Sequence, residues 1–411
     1  MRIVIDCCNY FLNNHNHGDR AIYKMAAERL THQWPGAEIS WITLDPALMQ
    51  QTIPAATFVT LAQRHHWQLV SAPQTARKPG LTAALTSLWD GSFPNREQQK
   101  LMRTIPDAAL LVDKIRQADV VLALGGGAFS DHFPKHACGL LDTLAIGLIF
   151  GKPTALLSVG FEPVSNPALL EKCKQVLPRL SLIGCRESEI GPALLKEFGV
   201  PDERIYLTGD EAIALAYRLR PAQPGGAMGV NLRQSGYSSM DDVALQSIRG
   251  VLQETAQRYN APLLGCPISM FGPSDVESIQ KLTASYNGLV ETGETLDEPE
   301  KVIQQVGRCR VVVTGSYHAA VFALSQGIPA VGIVRSLHYQ SKLAGLATQF
   351  GVGCTLVDSH NTDFEANLRN AIVESWQTAE ALREALLHKA QEQISAGEIA
   401  YRKLFEIVAE G

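Results

Sequence analysis

No stretch of this chain stays apolar long enough to span a bilayer. The longest such run, residues 140–150, is interrupted by Asp142 and falls well short of the roughly 20 residues a spanning helix needs. A signal-like start is missing too. Met1-Arg2-Ile3-Val4-Ile5-Asp6 reads as a short strand and not as a basic segment leading into an apolar core, so a cytoplasmic location is expected. Long runs of one charge are lacking: 36 basic and 41 acidic residues are interspersed, for a net charge of -5. That argues against a broad nucleic-acid surface and leaves room for a local basic pocket. The eight cysteines (Cys7, Cys8, Cys138, Cys173, Cys185, Cys266, Cys309 and Cys354) form no C-x-x-C pair and lie mostly in apolar, strand-like contexts. Buried reduced thiols fit this better than a disulfide or metal framework. No repeat of fixed period is evident.

What is there is an α/β rhythm. With 411 residues, 46% hydrophobic and 19% charged, the chain exceeds one ordinary core and suggests two globular domains. Strand-like runs at 3–6, 38–43, 120–124, 154–158 and 180–184 alternate with helical patterns, the signature of parallel sheets wrapped by helices. A stretch with two prolines and two glycines around Pro221 to Gly226 reads as a linker, and the rhythm restarts with strands at 228–232, 262–266, 310–314 and 329–334. The layout predicts two Rossmann-like domains facing across a cleft. The first covers 1–217, with an insertion at about 71–106 and two tryptophans nearby, Trp67 and Trp89. A linker over 218–228, a second domain over 229–375 and a helical tail over 376–411 follow.

Ligands of such sheets bind outside the carboxyl ends of the strands. The β-branched run Val311-Val312-Val313 stops at Gly315-Ser316, and His318 begins the helical stretch that runs towards Gly327. A lone histidine is more often structural than catalytic, but this position favours function, and helix N–H groups there favour an anion. Arg233 stands at the mouth of the second domain's first strand. With Arg335 and Lys342 it is expected to converge with His318 on an anion. After the first strand comes Asn13-Asn14-His15-Asn16-His17-Gly18-Asp19. There Asp19 could cap the next helix, or Asn16, Gly18 and Asp19 could contact a polar substrate such as a sugar. His15 and His17 raise a metal, but no third ligand is near in the sequence, and none is expected. Gly125-Gly126-Gly127 closes the strand at 120–124 and would let a ligand approach the backbone; it is neither G-x-G-x-x-G nor a Walker motif. Arg186 follows another strand, where a guanidinium can hold a carboxylate or phosphate; the plain alternative is a surface pair with Glu187 or Glu189. Asp210 lies at a further strand end, where it could simply cap a helix.

These positions, in this order, resemble the polysaccharide pyruvyl transferase family. Asn16-His17-Gly18-Asp19 is similar to its N-x-G-D motif, Gly125-Gly126-Gly127 to its triple-glycine turn, and Gly160-Phe161-Glu162-Pro163 to its G-x-G-P segment. Cys185-Arg186-Glu187-Ser188 loosely resembles the R-[DE]-x-x-S region, and Gly209-Asp210-Glu211-Ala212 the D-P-A element. His318 through Ala323, Gly327 and Pro329 to Lys342 is similar to the C-terminal signature, so the resemblance covers roughly residues 1–350. Ser316 stands where the family usually has arginine two residues before the histidine, Glu211 where proline is usual, and Glu162 where glycine is usual.

The resemblance implies a GT-B-like architecture, in which the C-terminal helix usually crosses back to the first domain. It also implies transfer of the pyruvyl group of phosphoenolpyruvate to a saccharide or glycolipid acceptor, with phosphoenolpyruvate as co-substrate and no other cofactor or metal. On that footing His318 is the acid/base and Arg233 assists it. Arg233, Lys342, Arg186, Ser316 and Arg335 would hold the donor, and Asn16, Gly18, Asp19, Gly125, Gly126 and Gly127 the acceptor. A glycolipid acceptor would bring the protein to a membrane surface, and a homodimer is compatible with the sequence. A GT-B glycosyltransferase with a nucleotide-sugar donor, or a catalytically silent sugar- or anion-binding protein, are the alternatives.

Overall fold

A computed structural model describes residues 1–9, 15–61, 106–233, 242–270, 274–335 and 337–410. The expected insertion at 71–106 lies outside the described residues except for Pro106, and so do Asn13, Asn14, Trp67 and Trp89. Contacts divide the chain into two compact units. One comprises Met1–Asn13, Ala26–Thr208 and Ala396–Gly411; the other comprises Asn14–Met25 and Gly209–Ser395. Residues 218–228 therefore all fall in the second unit, as does the segment that carries Asn16, Gly18 and Asp19.

The first unit is built on β1 (Arg2–Asn9), β2 (Glu38–Thr43), β3 (Thr57–Thr60), β4 (Val120–Phe129), β5 (Thr154–Phe161), β6 (Leu182–Cys185) and β7 (Ile205–Leu207). They form a sheet in the order β3-β2-β1-β4-β5-β6-β7, parallel at every pairing. Parallel strands are covered on both faces, which is why these segments read as unbroken apolar runs. The long apolar run of the sequence is the helix Pro134–Ile149, buried from Ala137 through Gly147. Its Asp142 is neutralised by Lys172 at 2.6 Å, both side chains sealed from solvent, while the neighbouring Thr143 donates to the buried Asp6 at 2.6 Å.

The second unit carries β8 (Ala227–Asn231), β9 (Leu263–Gly265), β10 (Val290–Glu291), β11 (Cys309–Thr314), β12 (Ala330–Val334) and β13 (Cys354–Asp358). Their order, β10-β9-β8-β11-β12-β13, again parallel throughout, is that of a doubly wound sheet whose strand order reverses between β8 and β11. Met228, Val230, Val311, Val313 and Ile333 pack with Leu245 and Ile248 of the helix Asp242–Arg258 and with Leu368, Ile372 and Trp376. The last three belong to the 47-residue helix Phe364–Glu410. That helix starts earlier than its sequence pattern suggests. Its first part belongs to the second unit, where Trp376 stacks on Tyr259 at 4.8 Å. Its last part belongs to the first, where Phe405 meets Trp34 at 5.6 Å and Arg29 lies over Tyr401. Among the described residues no helix is long and apolar enough to cross a membrane.

Candidate active site

The helix Tyr317–Ser325 is buried at every residue, so it is an element of the core as well as the carrier of His318. It ends where Gly327 takes a φ of +75°, allowing the Ile328 N–H to reach back to the Ala323 carbonyl at 3.0 Å. A Cβ at Gly327 would stand 2.9 Å from Arg383 Cγ, and Arg383 Nη1 donates to the Gln326 carbonyl at 2.9 Å. Both ends are therefore fixed within one unit.

At its start, polar groups of three strand ends are joined. The Thr314 hydroxyl accepts from the Ser316 N–H at 2.7 Å and donates to Asn231 Oδ1 at 3.1 Å. Asn231, the last residue of β8, donates through Nδ2 to the Cys266 carbonyl at 3.0 Å and to Asp275 Oδ2 at 2.8 Å. The same carboxylate oxygen accepts the Ile268 and Ser269 N–H groups, both at 2.9 Å. Asp275 is fully enclosed, and burial pushes its carboxyl above the usual range although these donors and the Arg233 charge act the other way. Arg233 is half-buried beyond the end of β8.

The loop held by Asp275 in turn docks the segment around residue 16. Asn16 bridges Ser269 in antiparallel fashion, the His17 N–H donates to the Ile268 carbonyl at 2.8 Å, and the Met270 N–H donates to the His15 carbonyl at 2.9 Å. Asn16 Oδ1 accepts from the Gly18 and Asp19 N–H groups at 2.9 and 3.1 Å. The cap of the helix His17–Gln33 is thus Asn16, not Asp19 as the sequence suggests; Asp19 sits in the first turn, where a carboxylate suits the helix dipole. Gly18 has a steric reason. A Cβ there would stand 2.0 Å from His318 Nδ1 and 2.1 Å from Cγ, so only glycine lets the imidazole lie against the helix start. His17 is buried, and burial first and Arg20 second lower its pKa to about 3.

On its other nitrogen His318 faces a carboxylate. Nε2 is 3.6 Å from Asp210 Oδ2, with the His318 side chain 10% exposed and that of Asp210 wholly buried. Asp210 Oδ1 meanwhile accepts the Ala212 N–H at 2.9 Å, capping the helix Ala212–Arg218 as the sequence allows. One oxygen is fixed by the backbone and the other is aimed at the ring. Tyr317 meets the imidazole edge-on at 5.2 Å and Phe322 lies at 6.4 Å. Ser316 is buried at the first position of the turn. Sequence reasoning gave Asp210 only a capping role and singled out neither Asn231 nor Asp275.

Arg335 is placed in a different group. It lines a cavity of about 550 Å³ with Ser247, Ser359, Thr362 and Arg369, and neither His318 nor Asp210 lines it. Lys342 is half-buried on the helix Leu337–Phe350. Gly125, Gly126, Gly127 and Arg186 belong to the first unit. The glycines do not end a strand: β4 runs through them to Phe129, with an irregular register after Gly126. A Cβ on Gly125 would stand 1.8 Å from the Ser158 carbonyl oxygen, and Gly126 has a φ of +91°. Their backbone freedom serves the close approach of β4 and β5. Arg186 is buried with its guanidinium over Gly160, where a Cβ would be 2.6 Å from Nε, so a surface pair does not describe it. The Glu187 carboxylate accepts the Glu189, Ile190 and Gly191 N–H groups at 3.0, 2.9 and 2.6 Å. Among the described residues no group of three His, Cys, Asp or Glu is placed to hold a metal ion.

Comparisons with known proteins bear on this geometry at two levels. The family model for polysaccharide pyruvyl transferases matches residues 16–336, well over half of the chain, from the Asn16 cap past His318 to Arg335 and Ser336. None of the curated protein sequences compared with the chain matches it. Solved structures of similar fold include the UDP-GlcNAc 2-epimerase from Neisseria meningitidis bound to UDP-GlcNAc, at 13% identity over 100% of both chains with a TM-score of 0.55. The UDP-GlcNAc 2-epimerase from Methanocaldococcus jannaschii matches at 10% identity over 100% of both chains, TM-score 0.56. CalG4, the calicheamicin glycosyltransferase, matches at 13% identity over 99% of this chain and 97% of its own, TM-score 0.50. Identities this low speak for fold alone, and the fold they share is GT-B.

Proposed function

The chain belongs to the polysaccharide pyruvyl transferase family, and from that premise we propose that it moves the pyruvyl group of phosphoenolpyruvate onto a saccharide or glycoconjugate. The product is a pyruvate ketal bridging two hydroxyls, with release of phosphate. The observation that carries the reading is His318, seated at a helix start between Gly18 and the Asp210 carboxylate inside the matched region.

The chemistry suits such a residue. A proton delivered to the methylene carbon of phosphoenolpyruvate makes it a methyl group and leaves a cation at C2, which one sugar hydroxyl attacks. Breaking the C2–O bond to phosphate regenerates the cation for the second hydroxyl. Two hydroxyl protons are lost; one balances the new methyl group and the other leaves on phosphate. A histidine, whose ordinary pKa lies near neutrality, can both give and take these protons. Arg233 is the first choice for the donor's negative charge, with Lys342 as a further cation and Ser316 as a neutral contact. Asn16 and Asp19 are assigned to the acceptor.

The test is incubation with phosphoenolpyruvate and a panel of saccharides and glycolipids, with phosphate and product mass followed together. One phosphate per pyruvyl group gained supports the reading; phosphate without a heavier acceptor sinks it. A second reading is favoured by one observation, the likeness to a fold solved with UDP-GlcNAc bound. It makes the donor a nucleotide sugar, and calorimetry with UDP would reveal tight binding only in that case.

A further inference from the structure

We infer that Asp210 is the positioning residue of His318, and that this pairing leaves Nδ1 as the nitrogen that exchanges protons with substrate. The inference rests on the reading of His318 as the acid/base but assigns something that reading does not. The two residues lie far apart in sequence and meet because the helix that carries His318 packs against the helix Ala212–Arg218, which follows Asp210. Asp210 cannot swing away, since Oδ1 is held by the Ala212 N–H at 2.9 Å. Its second oxygen is left pointing at Nε2, 3.6 Å off. Hydrogen bonds of this type are often long before substrate binds and tighten afterwards.

The remaining environment decides between the two nitrogens. Nε2 is sealed from solvent and makes no hydrogen bond, while the side chain as a whole keeps 10% of its surface exposed. The open part of the ring is therefore not Nε2. Nδ1 lies over Gly18 in the space a Cβ would need, 2.0 Å from where that atom would stand, and unlike Nε2 it is not among the sealed nitrogens without a partner. The other rings against the imidazole, Tyr317 edge-on and Phe322, bring no charge of their own. A carboxylate beside Nε2 favours the tautomer with its proton there, which makes Nδ1 the basic atom. It also stabilises the cation formed when Nδ1 takes a proton.

Nitrogen-15 NMR of the histidine-labelled wild-type protein tests this without any change to the site, the His318 signal being identified by its loss in His318→Gln. The expected result is a neutral ring protonated at Nε2, with Nδ1 taking the second proton on acidification. A neutral ring protonated at Nδ1 would overturn the inference. Asp210→Asn keeps an oxygen for the Ala212 N–H and should lower kcat about 100-fold, with KM for phosphoenolpyruvate little changed. It should also raise the share of neutral ring protonated at Nδ1, as Nε2–H loses its carboxylate partner. Unchanged tautomer populations in folded Asp210→Asn would count against the pairing; if that variant does not fold, the wild-type tautomer decides. Should the protein release no phosphate from phosphoenolpyruvate, the functional reading fails while both NMR results still judge this one.

Discussion

The carboxyl edges of the two parallel sheets behave differently in this molecule. In the first unit, the glycine segment within β4 and the turn after β6 close on their own backbone. Gly125 makes room for the Ser158 carbonyl, Arg186 lies over Gly160, and Glu187 gathers three N–H groups of its own turn. In the second unit, the ends of β8 and β11 tie their polar groups into the Thr314–Asn231–Asp275 chain. A single titratable ring, backed by a carboxylate, then stands over Gly18. A doubly wound sheet offers polar residues at every carboxyl edge. Which edge can move a proton depends on whether a side chain there is left uncommitted to structure.

The comparison can be broken by variants that treat both units alike. The largest effect is expected from Lys172→Met in the first unit, which removes the ammonium from a fully buried carboxylate. Urea unfolding should show a loss of about 3–5 kcal/mol, largely recovered when Asp142→Leu is added. Glycine changes sharpen the contrast. Gly125→Ala drives a Cβ into the Ser158 carbonyl and should cost about 3 kcal/mol of stability. Gly18→Ala drives one into the His318 ring, and displacing that ring should cut turnover about 100-fold with a smaller change in unfolding midpoint. If Gly18→Ala leaves turnover intact, the ring is not the working group. Arg233→Ala should weaken phosphoenolpyruvate binding about 30-fold, the loss of a charge-assisted contact worth about 2 kcal/mol, and spare acceptor binding. Equal losses by calorimetry would remove Arg233 from the donor site.

A pH dependence offers a further test. His17 has a folded-state pKa of about 3 against 6.5 in the unfolded chain. The unfolded state therefore takes up a proton that the folded state refuses as pH falls below about 6.5. Stability present above that pH should decline towards pH 3, by up to about 1.4 kcal/mol per pH unit. His17→Phe should flatten this part of the profile relative to wild type. Parallel profiles for the two proteins would mean that the wild-type ring is not shielded.

Much of the fold was legible because parallel strands buried on both faces leave unbroken apolar runs, as at Val311 to Val313 or 154–158. The strands that escaped notice, β3, β10 and β13, are sheet edges with exposed residues such as Thr57 and Thr355, where no such run exists. The matching turns were legible as an ordered series, and the family match over residues 16–336 agrees with it. The site was legible residue by residue but not as contacts. Sequence marks Asp210 as a cap and His318 as a strand-end histidine, yet nothing in spacing says that one carboxylate oxygen serves each task. Nor can the order of residues show that Asn16 to Asp19 pack with the second unit. That docking depends on the loop at Ile268 and Ser269, which Asp275 holds from seven and six residues away.

The central claim is that His318 moves protons in pyruvyl transfer, and one side-by-side assay tests it most directly. Wild type and His318→Ala are incubated with phosphoenolpyruvate and an accepted saccharide, and phosphate release is timed while the acceptor's mass is recorded. The account predicts stoichiometric phosphate and ketal from wild type and a rate lower by about 10³-fold in the variant. Equal rates from the two proteins, each shown to be folded, would contradict it.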